Sequence, residues 1–279
     1  YSVCPSVHLM AMHIASMTEN LRIGTAVTLA AFYHPLRIAE EVALLDVLSG
    51  GRINWGAGRG FDPRELSIFD VPVEESTARF REAVEIVHAS WSDERLTYKG
   101  QFHSFENVDI LPKPVQKPHP PTWVAASSLD AVEWAASKGY SILMDPHSAN
   151  SRIAEKLAHY NNHLATAGHS EVKRDIPIAR LVALAETDSK AEAVARRGAE
   201  WTSKYIPKQA LAHFRGDGKV VEPVDHYMDD VIVHGSPERV IDEIQRLKET
   251  IPLEYLLLSS LSDRTSEIFT EKVLPHVLD

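Results

Sequence analysis

The stretch from 44 to 60, LLDVLSGGRINWGAGRG, decides the fold of this chain. Apolar residues at helical spacing run up to the pair Gly50-Gly51, where a glycine allows the left-handed conformation that ends many helices. The segment from Arg52 to Ala57 is too short for a helix and is bounded by glycines, as a buried strand often is. The stretch therefore predicts a helix, a glycine turn and a buried parallel strand.

Arg59 follows this strand and lies between two glycines. Proteins with parallel sheets hold their ligands just beyond the carboxyl ends of the strands. Glycines on both sides let a ligand approach the backbone, and a guanidinium binds phosphate through paired hydrogen bonds. The sequence thus predicts phosphate binding by Arg59, with a surface salt bridge as the alternative.

The composition narrows the classes of function. The chain has 279 residues, with 29 basic and 39 acidic side chains and a net charge of −10, which argues against a broad nucleic-acid or anionic-membrane surface. The one cysteine, Cys4, excludes an intrachain disulfide, fits a reducing cytoplasm and is expected to be a buried small apolar residue. No apolar run approaches the roughly 18 residues of a membrane span.

Strand-like and helix-like segments alternate along the chain, which predicts an α/β fold with a parallel sheet. About six strand–helix units can be recognised, two fewer than a closed (β/α)8 TIM barrel needs. We therefore expect residues 1–279 to form one barrel domain that lacks its first two strands. Residues 206–230 interrupt the alternation, and such a long irregular segment indicates a lid or an insertion.

Several sequence runs together resemble the bacterial luciferase-like flavin-dependent monooxygenase family. They follow the family's order and spacing over nearly the whole chain. The runs are LRIGTAV (21–27), HPLRIAEE (34–41), LDVLSGGR (45–52), GAGRG (56–60), VAASS (124–128), EWAA (133–136), GSPE (235–238) and VLP (273–275).

The resemblance implies a (β/α)8 barrel that binds reduced FMN, or in one branch the deazaflavin F420, at the carboxyl ends of the strands. Members react the reduced flavin with O2 and insert one oxygen atom into a small organic substrate such as an aldehyde or ketone. It also implies a separate flavin reductase as a transient partner and a homodimer formed through the helices after the early strands. The absence of a Gly-x-Gly-x-x-Gly run agrees with a cofactor that is reduced elsewhere.

The resemblance also assigns cofactor-binding residues. Arg59 matches the family's flavin-phosphate arginine, and Ala126, Ser127 and Ser128 match its second phosphate-binding segment. Backbone N–H groups at a helix N-terminus form an anion site, although a plain serine N-cap would use the same atoms. Asp130 stands near the place where some relatives have a second hydroxyl.

The early strand end is assigned to the flavin ring. Thr25 and Ala26 match the segment under the isoalloxazine, and some relatives have a non-prolyl cis peptide at the position of Ala26–Val27. Gly58 matches a position near the reactive edge of the flavin, where some luciferases have a cysteine. Glu65 matches an acidic position, although a solvated loop carboxylate is the simpler interpretation.

No catalytic residue can be named from the sequence. The family's Glu-His-His segment matches no part of this chain, so the usual catalytic histidine has no counterpart. His159 and His163, with Glu155 one turn earlier, lie on one helix stripe, but without a His-Glu-x-x-His pattern we expect a solvated face and no metal.

Three alternatives stay open at this point. The first is an F420-dependent oxidoreductase of the same fold that transfers a hydride. The second is a non-catalytic partner subunit, against which the presence of Arg59 and Ser127-Ser128 argues. The third, a metal-dependent barrel hydrolase, lacks a ligand set in the sequence.

Overall fold

The computed structural model describes residues 4–205, 214–215 and 221–278. The chain divides into two compact units, Tyr1–Ala125 and Ala126–Asp279. No helix among the described residues is long and apolar enough to span a membrane. Each unit has its own parallel strands, and neither unit closes its described strands into a ring.

The first unit alternates short strands with longer helices. Its elements are α1 (Val7–Met17), β1 (Ile23–Gly24), β2 (Thr28–Leu29), α2 (Pro35–Ser49), β3 (Ile53–Gly58), α3 (Pro63–Ile68), α4 (Ser76–Ser92), β4 (Leu96–Lys99), β5 (Ser104–Val108) and β6 (Thr122–Ala125). Strands β1, β2 and β6 all pair with β3 in parallel. The central strand β3 is buried along its whole length, as the sequence predicted.

The predicted helix end precedes this strand. Gly50 and Gly51 have φ angles of 68° and 83°, and the N–H of Gly51 donates to the carbonyl of Asp46 over 2.8 Å. The buried carboxylate of Asp46 accepts two hydrogen bonds from Gln116, whose amide also donates to the carbonyl of Ile53. The proline-rich connector before β6 is thereby fixed to α2 and β3.

The hairpin β4–β5 is antiparallel, and α4 supports it. The buried carboxylate of Glu82 accepts hydrogen bonds from the backbone N–H groups of Gln101, Phe102 and His103. Because one side chain satisfies three backbone donors of the turn, the hairpin has a defined position on α4.

The second unit continues the alternation. Its elements are α5 (Leu129–Ser137), β7 (Ser141–Leu143), α6 (Asn150–Thr166), β8 (Pro177–Leu184), α7 (Asp188–Tyr205), α8 (Pro223–Asp230), β9 (Val233–Gly235), α9 (Pro237–Thr250), β10 (Tyr255–Ser260), α10 (Asp263–Ile268), a π-helical turn (Phe269–Val273) and α11 (Leu274–Val277). Strand β8 pairs in parallel with β9 and β10.

One prediction in this unit is partly wrong. Residues 206–230 were expected to be irregular, but Pro223–Asp230 form the helix α8, with proline in its first turn. Tyr227 of this helix is fully buried against a cluster that includes Leu181 and Ala195. Residues 206–213 and 216–220 of the expected lid lie outside the described residues.

Candidate functional site

The carboxyl ends of β2 and β3 lie side by side at one sheet edge of the first unit, whereas β1 ends four residues earlier along β3. The register aligns Leu29 with Gly58 and Gly24 with Asn54, so Arg59 follows the shared end of β2 and β3, and Thr25 and Ala26 lie in the connection from β1 to β2. The peptide between Ala26 and Val27 is cis, at the position indicated by the resemblance. Ala26 is exposed and Val27 is half-buried.

Thr25 uses its side chain to join two strands. Its buried hydroxyl donates to the carbonyl of Gly56 over 3.0 Å and accepts from the N–H of Gly56 over 2.9 Å. A Cβ atom at Gly56 would lie 1.8 Å from the carbonyl oxygen of Thr25, so only glycine fits there. The hydroxyl of Thr25 therefore serves strand pairing, and its contact with a cofactor remains a prediction.

Gly58 ends β3 in close contact with the cis peptide. A Cβ atom at this position would lie 2.4 Å from Cγ2 of Val27. The neighbouring side chain of Val27 thus explains the glycine by packing alone. Whether Gly58 also contacts a cofactor remains a prediction.

Arg59 is half-buried, and its guanidinium has no carboxylate partner among the residues that the structure describes. Its Nη1 donates to the hydroxyl of Ser76 over 2.8 Å, and that hydroxyl donates to the carbonyl of Val73 over 2.7 Å. Within the described parts of the chain Arg59 forms no ion pair. Burial lowers the pKa of its guanidinium, although arginine stays protonated at neutral pH. Such a cation, held in one orientation by a neutral hydroxyl, is suited to an anionic ligand.

A cavity of about 320 Å³ opens beside this edge. Val27 and Leu29 line it from the strand ends, and Phe32, Phe69, Glu65 and His8 are among its other lining residues. Burial raises the pKa of Glu65, and the nearby Asp62 carboxylate raises it further. The lining is mixed, because the polar groups of His8, Glu41 and Glu65 stand beside the apolar side chains, so the cavity fits a small organic molecule that carries a polar group.

His8 connects this cavity to a hydrogen-bonded chain that the sequence did not reveal. Its Nδ1 lies 2.7 Å from Oε2 of Glu41, and its Nε2 lies 2.9 Å from Oγ1 of Thr28. Thr28 also accepts from the buried indole N–H of Trp55 over 3.2 Å. Because a carboxylate only accepts, a neutral His8 carries its proton on Nδ1 and accepts from Thr28 at Nε2.

Spacing could not have identified His8. It lies in the first turn of α1, whereas Thr28 and Glu41 come from β2 and α2, so only the folded chain brings them together. Cys4, at the rim of the same cavity, is exposed. The expectation that it is buried was therefore wrong, because it precedes α1 and contributes nothing to the apolar face of that helix.

The predicted serine segment lies at the start of α5 in the second unit. The hydroxyl of Ser128 accepts from the N–H of Ala131 over 3.1 Å and caps the helix. Ala126 is buried, and its N–H donates to the carbonyl of Leu143 over 3.2 Å. Ser127 is exposed. The N-cap interpretation is thus correct for Ser128, and anion binding by this segment remains a prediction.

A buried polar cluster after β7 was also missed by sequence reasoning. Asp145 accepts from Nζ of Lys156 over 3.0 Å and from the hydroxyl of Ser148 over 2.9 Å. Burial lowers the pKa of the fully buried Lys156, although Asp145 opposes this shift. Arg180 donates to the carbonyl of Ser148 and to the side chain of Asn150. These bonds hold the segment between β7 and α6 in one conformation.

Comparison with known proteins identifies a protein family and several proteins to which this chain is similar. The family model for luciferase-like monooxygenases matches residues 1–253. The oxygenase component of the flavin-dependent trigonelline monooxygenase from Acinetobacter baylyi is 27% identical over 70% of this chain and 54% of its own length. The y4wF protein of Sinorhizobium fredii is 38% identical, over 54% of this chain and 44% of its own. These matches span about half of the length of each relative.

Solved structures cover almost the whole chain. Monooxygenase RslO1 from Streptomyces bottropensis has a TM-score of 0.80 at 28% identity. The match covers 98% of this chain and 83% of the RslO1 chain. The F420-dependent tetrahydromethanopterin reductase from Methanopyrus kandleri has a TM-score of 0.81, with 98% and 88% coverage, but at 18% identity it shows the fold alone. The predicted α/β fold of the luciferase-like (β/α)8 TIM-barrel class is confirmed.

Proposed function

This chain belongs to the luciferase-like monooxygenase family, and on that premise we propose that it is the oxygenase component of a flavin-dependent monooxygenase. The substrate is a small organic molecule such as an aldehyde or ketone. When bound, reduced FMN supplies the electrons that activate O2. The relative described as the oxygenase component of a trigonelline monooxygenase supports a separate reductase as electron donor.

The observation that carries this proposal is the half-buried guanidinium of Arg59 without a carboxylate partner in the described chain. A cation in such a place is stabilised by an anion, and a phosphate monoester offers two oxygens to the two Nη atoms. Ser76 fixes the guanidinium from the helix side. Arg59 therefore binds the FMN phosphate in this proposal.

Further cofactor contacts are proposed separately for each unit. In the first unit, Thr25, Ala26 and Gly58 contact the flavin ring, which is supported by the exposure of Ala26. In the second unit, the N–H groups of Ser127 and Ser128, just before α5, bind an anion, whereas the N–H of Ala126 already donates to the carbonyl of Leu143. The positive end of the α5 dipole favours this arrangement.

The cavity beside the first site is the proposed substrate pocket, and His8 is its proposed proton carrier. Glu41 accepts a hydrogen bond from the Nδ1–H of His8, so a second proton would be taken up at Nε2 of His8. In this structure that Nε2 accepts from the hydroxyl of Thr28. Glu41 stabilises the resulting imidazolium. This role is independent of the phosphate contact made by Arg59.

The phosphate contact is tested by titrating the full chain anaerobically with reduced FMN. Arg59→Met should weaken binding roughly 10- to 100-fold, the loss expected for hydrogen bonds to a charged group. The matched control is Arg95→Met, which removes an exposed guanidinium from the same unit. Circular dichroism melts of both variants separate a loss of binding from a loss of fold.

Other outcomes discriminate between the alternatives. Tight binding of reduced F420 with anaerobic hydride transfer, but no oxygenated product with reduced FMN and O2, would assign the chain to the F420-dependent oxidoreductases. A chain that binds neither reduced cofactor would instead be a non-catalytic partner subunit. Oxygenated product that requires this chain, reduced FMN from a separate reductase and O2 supports the proposal.

A homodimer is also proposed, through α1 and α2. These packed helices expose large apolar side chains, which are costly to leave in water. The side chains are Leu9, Met10, Met17, Leu44, Val47 and Leu48. A second copy of the chain that presents the same face would cover them.

A further inference from the structure

We propose that α5 and α6 carry a transition-metal site formed by Glu133, His159 and His163. Each residue offers one ligand atom, and the three atoms all lie within 4.8 Å of one another. Glu133 Oε2 lies 3.9 Å from His159 Nε2, and Glu133 Oε1 lies 3.9 Å from His163 Nδ1. This site lies within the second unit and does not depend on the proposed oxygenase function.

Helix geometry produces this arrangement. His159 and His163 are four residues apart on α6, so they project from one face on successive turns, with ring centroids 4.4 Å apart. Helix α5 packs against α6 and brings Glu133 to the same face. Two histidines one turn apart and a carboxylate from a neighbouring helix resemble the metal sites built between helices of bundles.

The sequence had suggested a different third residue. Glu155 lies one turn before His159, but its carboxylate is held by Arg152 on the same helix at 2.5 Å. The carboxylate that faces both histidines is Glu133, 26 residues before His159. This distance along the chain explains why residue spacing predicted a solvated face and no metal.

The ligand atoms are not already used by one another. At 3.9 Å, neither histidine is within hydrogen-bond distance of Glu133. In addition, His159 Nε2 is buried from solvent and has no hydrogen-bond partner in the described parts of the chain. A buried ring nitrogen without a partner, facing a carboxylate and a second imidazole, is the arrangement that a bound cation satisfies.

The donor set specifies the class of ion. Two imidazole nitrogens and one carboxylate suit Zn²⁺, Ni²⁺ or Cu²⁺, whereas Mg²⁺ and Ca²⁺ prefer oxygen ligands alone. Zinc binds these donors at about 2.0–2.2 Å. Because the Glu133 side chain is 56% exposed, it can rotate to bring its oxygen into this range. Solvent would occupy the remaining coordination positions.

The site links two helices, so its occupation should stabilise this unit. A metal that binds the folded chain and not the unfolded chain shifts the unfolding equilibrium toward the folded state. Glu133 and the two histidines then act as a clip between α5 and α6. We assign no role in oxygen chemistry to the ion.

Isothermal titration calorimetry of the full, chelator-treated chain with Zn²⁺, and separately with Ni²⁺, tests the site. We expect one ion per chain and a rise in the melting temperature that saturates with binding. Glu133→Gln and His163→Gln should each weaken binding at least tenfold. The control His276→Gln removes an exposed histidine elsewhere in the unit and should leave the affinity unchanged within twofold.

The outcomes that would overturn the proposal are equally defined. Binding that is absent at 0.1 mM metal, or that is unchanged in the His159→Gln/His163→Gln variant, excludes this site. Metal-free melts of each variant show whether it folds, and the three positions are at least partly exposed, so the substitutions can be accommodated. Reduced-FMN binding, measured separately on the same samples, keeps this result distinct from the test of the oxygenase function.

Discussion

In the first unit, neighbouring residues use their polar groups in different ways. The hydroxyl of Thr25 is fully engaged with the backbone of Gly56, so it stabilises strand pairing. The guanidinium of Arg59 has only a neutral hydroxyl as its described partner, so its charge is available to a ligand. The chemical identity of a residue predicts which groups it can bind, but the use of those groups depends on neighbours from other elements.

His8 provides the residue-scale prediction. His8→Gln removes the bridge between Glu41 and Thr28 and the group that can accept a proton, so the yield of oxygenated product should fall roughly 100-fold. Reduced-FMN affinity should change by less than twofold, because His8 is not part of the Arg59 phosphate contact. Product is measured by mass spectrometry with a panel of aldehydes and ketones.

The matched control for this experiment lies on the same helix. His13 is exposed on α1, and His13→Gln should retain the product yield of the unsubstituted chain. Equal product yields from His8→Gln and the unsubstituted chain would remove His8 from the mechanism. A parallel loss of reduced-FMN binding would assign His8 a structural role.

At the scale of elements, local sequence signals predicted well where they are strong. The glycine pair after α2, the serine before α5 and the alternation of strands and helices all appear where expected. The failures have a common physical reason. Helix α8 is short, and its Tyr227 is buried in a cluster with Leu181 and Ala195, which lie far from it along the sequence. Contacts such as Glu133 with His159 arise only when two helices pack, so no local pattern encodes them.

The β4–β5 hairpin allows a prediction about pH. Burial of the Glu82 carboxyl disfavours its charged form, but hydrogen bonds from the Phe102 N–H, the His103 ring and the N–H groups of Gln101 and His103 outweigh it and lower its pKa. A lowered pKa in the folded state contributes stability above the unfolded-state value, and this contribution is lost as pH falls through the folded-state value. The hairpin should therefore weaken in acid.

Glu82→Gln measures this contribution. The substitution should reduce the free energy of unfolding at pH 7 by about 1.5–3 kcal/mol, the range for hydrogen bonds to a charged group. The difference from the unsubstituted chain should begin to shrink as pH falls below the unfolded-state value of about 4.3, and it should be lost as pH falls through the lower folded-state value. Urea unfolding at several pH values tests this, with Glu106→Gln on exposed β5 as the control. A difference that is independent of pH would contradict the assignment.

At the scale of the whole molecule, α1 and α2 together expose apolar side chains that a single chain leaves in contact with water. Leu9 is 74% exposed and Leu48 is 58% exposed, although both lie on regular helices.

If two copies bury this face, light scattering should give twice the chain mass of 31.1 kDa. Leu9→Glu/Leu48→Glu places like charges in the interface and should produce monomers, whereas Leu111→Glu, an exposed position outside these helices, should not. A monomeric unsubstituted chain at 50 µM, or a dimer that the double variant leaves intact, would show that the copies do not meet through this face.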